Sequence, residues 1–158
     1  MSINLSQLNQ YVIQPVLAAF GEPFNSRSAV ILLLGTAIHE SAGGEYLAQN
    51  GGGPALGAWQ MEPFTHDDCW HNFLQYQPGL AAAVRQFQVQ GAGGAQMAYN
   101  LAYACAMARV KYIRAQPPLP APDDFYGMAA YYKQFYNSDF GAAVVDPALT
   151  ACFQQAAL

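Results

Sequence analysis

Charge is what this sequence has least of. Only 10% of its 158 residues are Asp, Glu, Lys or Arg, against 53% hydrophobic and 13% aromatic residues. This composition excludes intrinsic disorder and excludes a coiled coil laced with surface ion pairs. The expected product is one compact unit over 1–158, since that is the length of one ordinary domain and no repeat, charge tail or linker divides it. Basic side chains are scarcer still, six against ten acidic ones, for a net charge of −4. Apart from Arg109, Lys111 and Arg114 they form no stripe, so nucleic acid is not an expected partner.

Cysteine is also sparse. Cys69, Cys105 and Cys152 are odd in number and widely separated, which is neither a disulfide framework nor the paired spacing of a zinc site. Reduced, mostly buried thiols are expected, with no metal and no cofactor. Long hydrophobic runs are missing too. The most apolar stretch, Ala29–Ile38, is about half the ~20 residues that span a bilayer, and His39 and Glu40 follow it at once, so it reads as a core helix. The first residues carry neither a basic n-region nor an apolar h-region. General secretion is therefore not the expected route, and work outside a cytoplasm is expected to need a separate means of delivery.

What the sequence does have is helical periodicity. Leu5, Leu8, Val12, Ile13, Val16 and Leu17 form one stripe, interrupted by Pro15 and closed by Gly21. A second helix is expected after Asn25 and Ser26, either of which can cap it, running to Gly43 and Gly44 with Glu40 in its last turn. Residues 49–57 carry four glycines and a proline, which predicts a loop, with a briefly extended stretch after it. Pro63 opens a helix toward Tyr76, with Thr65 and Asp68 spaced as in a capping box, and Pro78 opens another to Gln90. The longest helix is expected from Ala95 to Arg114. The prolines of 117–122 form an extended loop that ends at Asp123 as an N-cap, a helix follows to about Tyr136, and Asp146-Pro147 opens the last one. The fold class is all-α or nearly so.

Among chemistry-bearing residues, Glu40 stands out, because a carboxylate at the end of an apolar helix is costly without a task or a partner. The helix dipole and burial both disfavour its charge, which suits a general acid; a capped or salt-bridged structural glutamate is the alternative. The run His66-Asp67-Asp68-Cys69-Trp70-His71 gathers two imidazoles, two carboxylates and a thiol. Its histidine spacing does not place both rings on one helical face, so a solvated helix start explains it better than a metal or a cysteine nucleophile.

Further along, Glu40-Ser41, then Gly57-Ala58-Trp59-Gln60-Met61 beyond a glycine-rich loop, then Asn100 on a long helix, then Ala129-Ala130-Tyr131 follow one another in an order with a precedent. They resemble the signatures of the lytic transglycosylases of the goose-lysozyme superfamily, over roughly residues 28 to 140. Ala58-Trp59 stands where the family commonly has Leu-Met, and Tyr132-Lys133-Gln134 where it has Asn-x-Gly. The stretch from Gly51 to Glu62 also looks like versions in bacteriophage-encoded wall-degrading proteins.

The resemblance implies a lysozyme-like domain with a short irregular or β-like segment beside its cleft. It also implies cleavage of the MurNAc-GlcNAc β-1,4 bond of peptidoglycan, with Glu40 as the single acid and base and a 1,6-anhydro product. Ser41 and Gln60 would lie near the scissile sugar, Tyr131 would orient Glu40, and Trp59, Tyr46 and Tyr132 are candidates to stack on sugars. Asn100 and Glu62 complete the substrate-binding set. A hydrolysing muramidase would instead need a second carboxylate, for which Glu62 and Glu45 are available. A non-catalytic virion or tail component with a lysozyme fold is the reading from another class, and a module that only grips glycan is a further one. The expected partners are peptidoglycan strands and a virion or delivery protein, with no membrane, and the expected place of action is the bacterial wall, reached from a phage particle or from the host cytoplasm.

Overall fold

A helix that is apolar on every face must be enclosed on every face, and the run after Ser26 meets that condition. In the computed structural model, which describes residues 3–137 and 145–158, this is the central helix α3 (Arg27–Ser41). Ser26 caps it by accepting a hydrogen bond from the Ala29 amide at 3.1 Å. Ala29 to Ala37 are buried without a break. Before it, α1 (Leu5–Leu8), a π-helical turn (Asn9–Ile13) and α2 (Gln14–Phe20) follow each other directly. Pro15 explains the widened turn: it has no N–H to give, and its ring would strike the carbonyl four residues back in a regular α-helix. Asn4 caps the start, and Leu8, Ile13, Val16 and Leu17 reach the core.

Around α3 pack α4 (Pro63–Asn72), α5 (Pro78–Arg85), α6 (Leu101–Ile113), α7 (Phe125–Phe135) and α8 (Pro147–Gln155), with short 3-10 turns at Leu74–Tyr76 and Gly93–Ala98. Among the described residues, one hydrophobic cluster draws on all eight α-helices. α8 packs closely on α3, where Gly35 leaves the space that the Phe153 ring fills. The described residues are mostly helical and form no sheet; two isolated antiparallel bridges, Ala48 with Leu56 and Leu56 with Met61, are their β structure. No helix among them is long and apolar enough to cross a membrane. Cys69 and Cys105 are buried thiols, Cys152 is partly exposed, and none is in a disulfide.

Several local expectations are corrected. Thr65 and Asp68 are not a capping box: Glu62 precedes the first turn of α4, Thr65 lies inside it, and Asp68 accepts from Asn72 and Arg114. The helix toward Tyr76 ends at Asn72, and the one toward Gln90 ends at Arg85. The span expected as one helix from Ala95 to Arg114 is divided at Asn100, whose Oδ1 takes the Tyr103 amide at 3.1 Å and starts α6 afresh. Asp124, one residue beyond the expected Asp123, caps α7. Asp146 caps α8 as its Asp-Pro pair predicts. The shift from Asp123 to Asp124 is a choice between neighbouring side chains that can both accept an amide, and tertiary packing makes that choice.

Candidate functional site

Glu40 lies in the last turn of α3, where the helix emerges from the core into a cleft of about 450 Å³. Tyr46, Gln60, Glu62, Thr65 and Lys111 share the walls of this cleft with it. The carboxyl is held from below by α7: the Tyr132 hydroxyl donates to Glu40 Oε1 at 2.5 Å, and Asn137 Nδ2 donates to the same hydroxyl at 3.3 Å. Tyr132 is fully buried and stacked on Tyr136, which is stacked on Tyr112. This tyrosine column gives the phenol one position, and the phenol aims the carboxyl.

Burial raises the pKa of Glu40 above the usual glutamate value, and the Tyr132 hydrogen bond and the ammonium groups of Lys111 and Lys133 oppose that rise without cancelling it. The negative end of the α3 dipole acts in the same direction as burial. Beside it, the His39 imidazole is pushed down by burial and by Lys133 and rests edge-on against Tyr132 at 5.2 Å. A carboxyl whose proton is held more tightly than usual, in a cleft open to solvent, is suited to donate a proton to a bound oxygen and then to recover one.

The opposite wall is the turn 57–60, pinned at four points. Leu56 and Met61 exchange backbone hydrogen bonds across it at 3.0 and 3.1 Å. The Ser41 hydroxyl donates to the Ala58 carbonyl at 2.6 Å, the Tyr136 hydroxyl donates to the Trp59 carbonyl at 2.8 Å, and Trp59 Nε1 donates to the Leu33 carbonyl at 2.9 Å. The turn is thus fastened to the helix that carries Glu40 at its last residue, Ser41, and at its middle, Leu33.

These contacts divide the residues expected at the site. Glu40, Gln60 and Glu62 line the cleft, as does Tyr46. Gln60 sits at a φ of 46° with its amide donating to the Gly57 carbonyl, while Glu62 is exposed. Ser41, expected near a sugar, is fully buried and spends its hydroxyl on Ala37, Ala58 and the Gly44 amide. Trp59, expected to stack on a sugar, is 1% exposed and belongs to the core. Asn100 caps α6 and donates to the Phe87 carbonyl, away from the cleft walls. Tyr131, expected to orient Glu40, points its hydroxyl at the Pro117 carbonyl, and its neighbour Tyr132 takes that place. Consecutive helical residues diverge by about 100°, so a one-residue shift changes the partner altogether. The spacing of Tyr132 on α7 and Tyr136 at its C-cap, four apart, was the available sign that these two share a face.

Elsewhere, His66 Nε2 meets the Tyr103 hydroxyl at 2.7 Å and Nδ1 meets Asp67 at 2.8 Å, Cys69 is buried, and His71 is exposed. The described residues contain no group of three His, Cys, Asp or Glu side chains able to hold a metal ion.

If Tyr132 positions the acid, Tyr132→Phe leaves Glu40 without the hydrogen bond that lowers its pKa. The alkaline limb of any activity that needs protonated Glu40 then moves to higher pH. The maximal rate falls by roughly tenfold, less than on losing the acid itself. A pH–rate profile of the two proteins checks this, and an unmoved limb would remove Tyr132 from the mechanism. No family model, curated protein or solved structure matches the chain.

Proposed function

We propose that this protein is a lysozyme-like enzyme that cleaves the glycan strands of peptidoglycan by lytic transglycosylation. The observation that carries the reading is a glutamate with a raised pKa, seated in a polar cleft and aimed by a buried tyrosine. It is the same glutamate that the Glu-Ser signature marks. Glu40 protonates the oxygen of the bond between N-acetylmuramic acid and N-acetylglucosamine. The resulting carboxylate then takes the proton of the muramic C6 hydroxyl, which attacks the anomeric carbon and closes the 1,6-anhydro ring. One carboxyl suffices because no water is consumed. Gln60 and Tyr46 are placed to contact the strand. By this reading the protein acts on the bacterial wall, carried in a phage particle or released from the host cytoplasm, and a virion or delivery protein brings it there.

Glu62 favours a second reading, because it lines the same cleft and is exposed. A muramidase would use it with Glu40 to hydrolyse the same bond. Mass spectrometry of fragments released from purified peptidoglycan decides between the two. Products ending in 1,6-anhydromuramic acid are expected; reducing ends, one water heavier, would transfer the mechanism to hydrolysis and to Glu62. No fragments from folded protein would leave the non-catalytic virion component, or a module that pellets with insoluble wall without cutting it.

A further inference from the structure

Two of the six basic residues in this acidic chain, Lys111 and Arg114, line one hollow beside the cleft, and a third, Lys133, acts on the charge of Glu40. Of the others, Arg27 donates to the Leu158 carbonyl, Arg85 lies over Trp70, and Arg109 is buried against the Phe24 carbonyl. Lys111 and Arg114, one turn apart on α6 and its cap, line a second hollow of about 340 Å³. That hollow meets the Glu40 cleft at Thr65 and Lys111, which belong to both. Lys133 on α7 is near enough to Glu40 to act on its charge.

The two cations are positioned differently. Lys111 sits at the junction, its ammonium donating to the Tyr136 carbonyl and lying 4.3 Å over the Tyr136 ring. Arg114 Nη1 donates to Asp68 Oδ2 at 2.6 Å, and the two side chains are 32% and 35% exposed. Among the described residues, its polar contacts, with Asp68 and Cys69, both use Nη1. A guanidinium is a fork of five donors suited to a carboxylate, and Asp68 orients this one while leaving donors for a second acid.

We infer that this hollow receives an acidic branch of the substrate, with Arg114 as its carboxylate anchor and Lys111 at the turn from strand to branch. The inference rests on the glycan-cleaving reading above. An unbranched strand needs one groove; a second polar hollow joined to it, with two cations in a chain of net charge −4, suits a strand that carries anionic side arms. The peptide arms of wall glycan have that chemistry.

The test compares two substrates, glycan strands with their acidic peptide arms intact and the same strands stripped of them by an amidase. Wild-type protein is expected to show a KM about tenfold lower on the intact strands, the advantage shrinking as salt is added. Arg114→Gln collapses the ratio of the two KM values. Asp68→Asn keeps a side-chain oxygen to orient the guanidinium but removes the opposing charge, and lowers KM on intact strands, so the two variants move in opposite directions, which general damage to the fold would not produce. Equal KM values in the wild type, or a ratio unchanged by Arg114→Gln, would overturn the inference and leave glycan cleavage standing. No fragments from either substrate would overturn both.

Discussion

Glu40→Gln is expected to cut the release of wall fragments by at least about a hundredfold, the usual scale for loss of a positioned general acid, without unfolding the protein. Glutamine keeps the shape of the side chain and an oxygen for the Tyr132 hydroxyl, but has no proton to give. Stability separates this outcome from a structural role. The folded protein holds the Glu40 proton more tightly than the unfolded chain does, because its pKa is raised by burial. That contribution to stability is complete below the unfolded pKa and is lost as pH rises through the folded one. Glutamine does not titrate, so the Tm of Glu40→Gln minus that of the wild type should grow with rising pH across this window. Thermal melts over a pH series, run beside the fragment assay, test both halves. Retained cleavage, or a Tm lowered at every pH, would mean that Glu40 is a structural anion.

Gly57→Ala is expected to be the most damaging small change to the cleft wall. Gly57 has a φ of 78°, and a Cβ there would run into the Met97 carbonyl oxygen, a backbone atom of the 3-10 turn Gly93–Ala98. Left-handed strain and overpacking each cost about 1–3 kcal/mol, so a loss of roughly 3–5 kcal/mol is expected. For a chain of this size that lowers Tm by about 10 °C. The damage should reach the site, because the next two residues carry the carbonyls held by Ser41 and Tyr136. Catalytic rate should therefore fall even well below the new Tm. A melt within a degree or two of wild type would show that the 93–98 turn yields easily and that the wall is softer than its hydrogen bonds imply.

The same turn shows why sequence reasoning found the right segment and misread its residues. Trp59 next to Gln60 in a glycine-rich loop invites an aromatic platform for a sugar. The indole instead reaches into the core, where Leu33 offers a carbonyl, and only Gln60 faces the cleft. Ser41, beside the acid in sequence, turns inward and ties the helix end to the turn, so its part is to hold the two cleft walls at a set distance. Both residues serve the geometry of the site without touching the cleft. Lys111 and Thr65 line it, but α6 and α4 bring them there from distant sequence, and the patterns they stand in, a basic stripe and a capping-box spacing, point to no cleft.

By itself the sequence determined the helical class, the enclosed α3, a cap at Asn25 or Ser26 and another at Asp146, and the position of a costly carboxylate at a helix end. Those properties follow from interactions within four residues or from a face-by-face apolar pattern, and a linear chain displays both. Only the tertiary structure decided that Tyr132 and not Tyr131 meets Glu40, that Asn100 starts a new helix, and that Lys111 and Arg114 border the cleft. A helical side chain gains or loses its partner with a rotation of about 100° per residue, and the rotation is set by what the rest of the core requires.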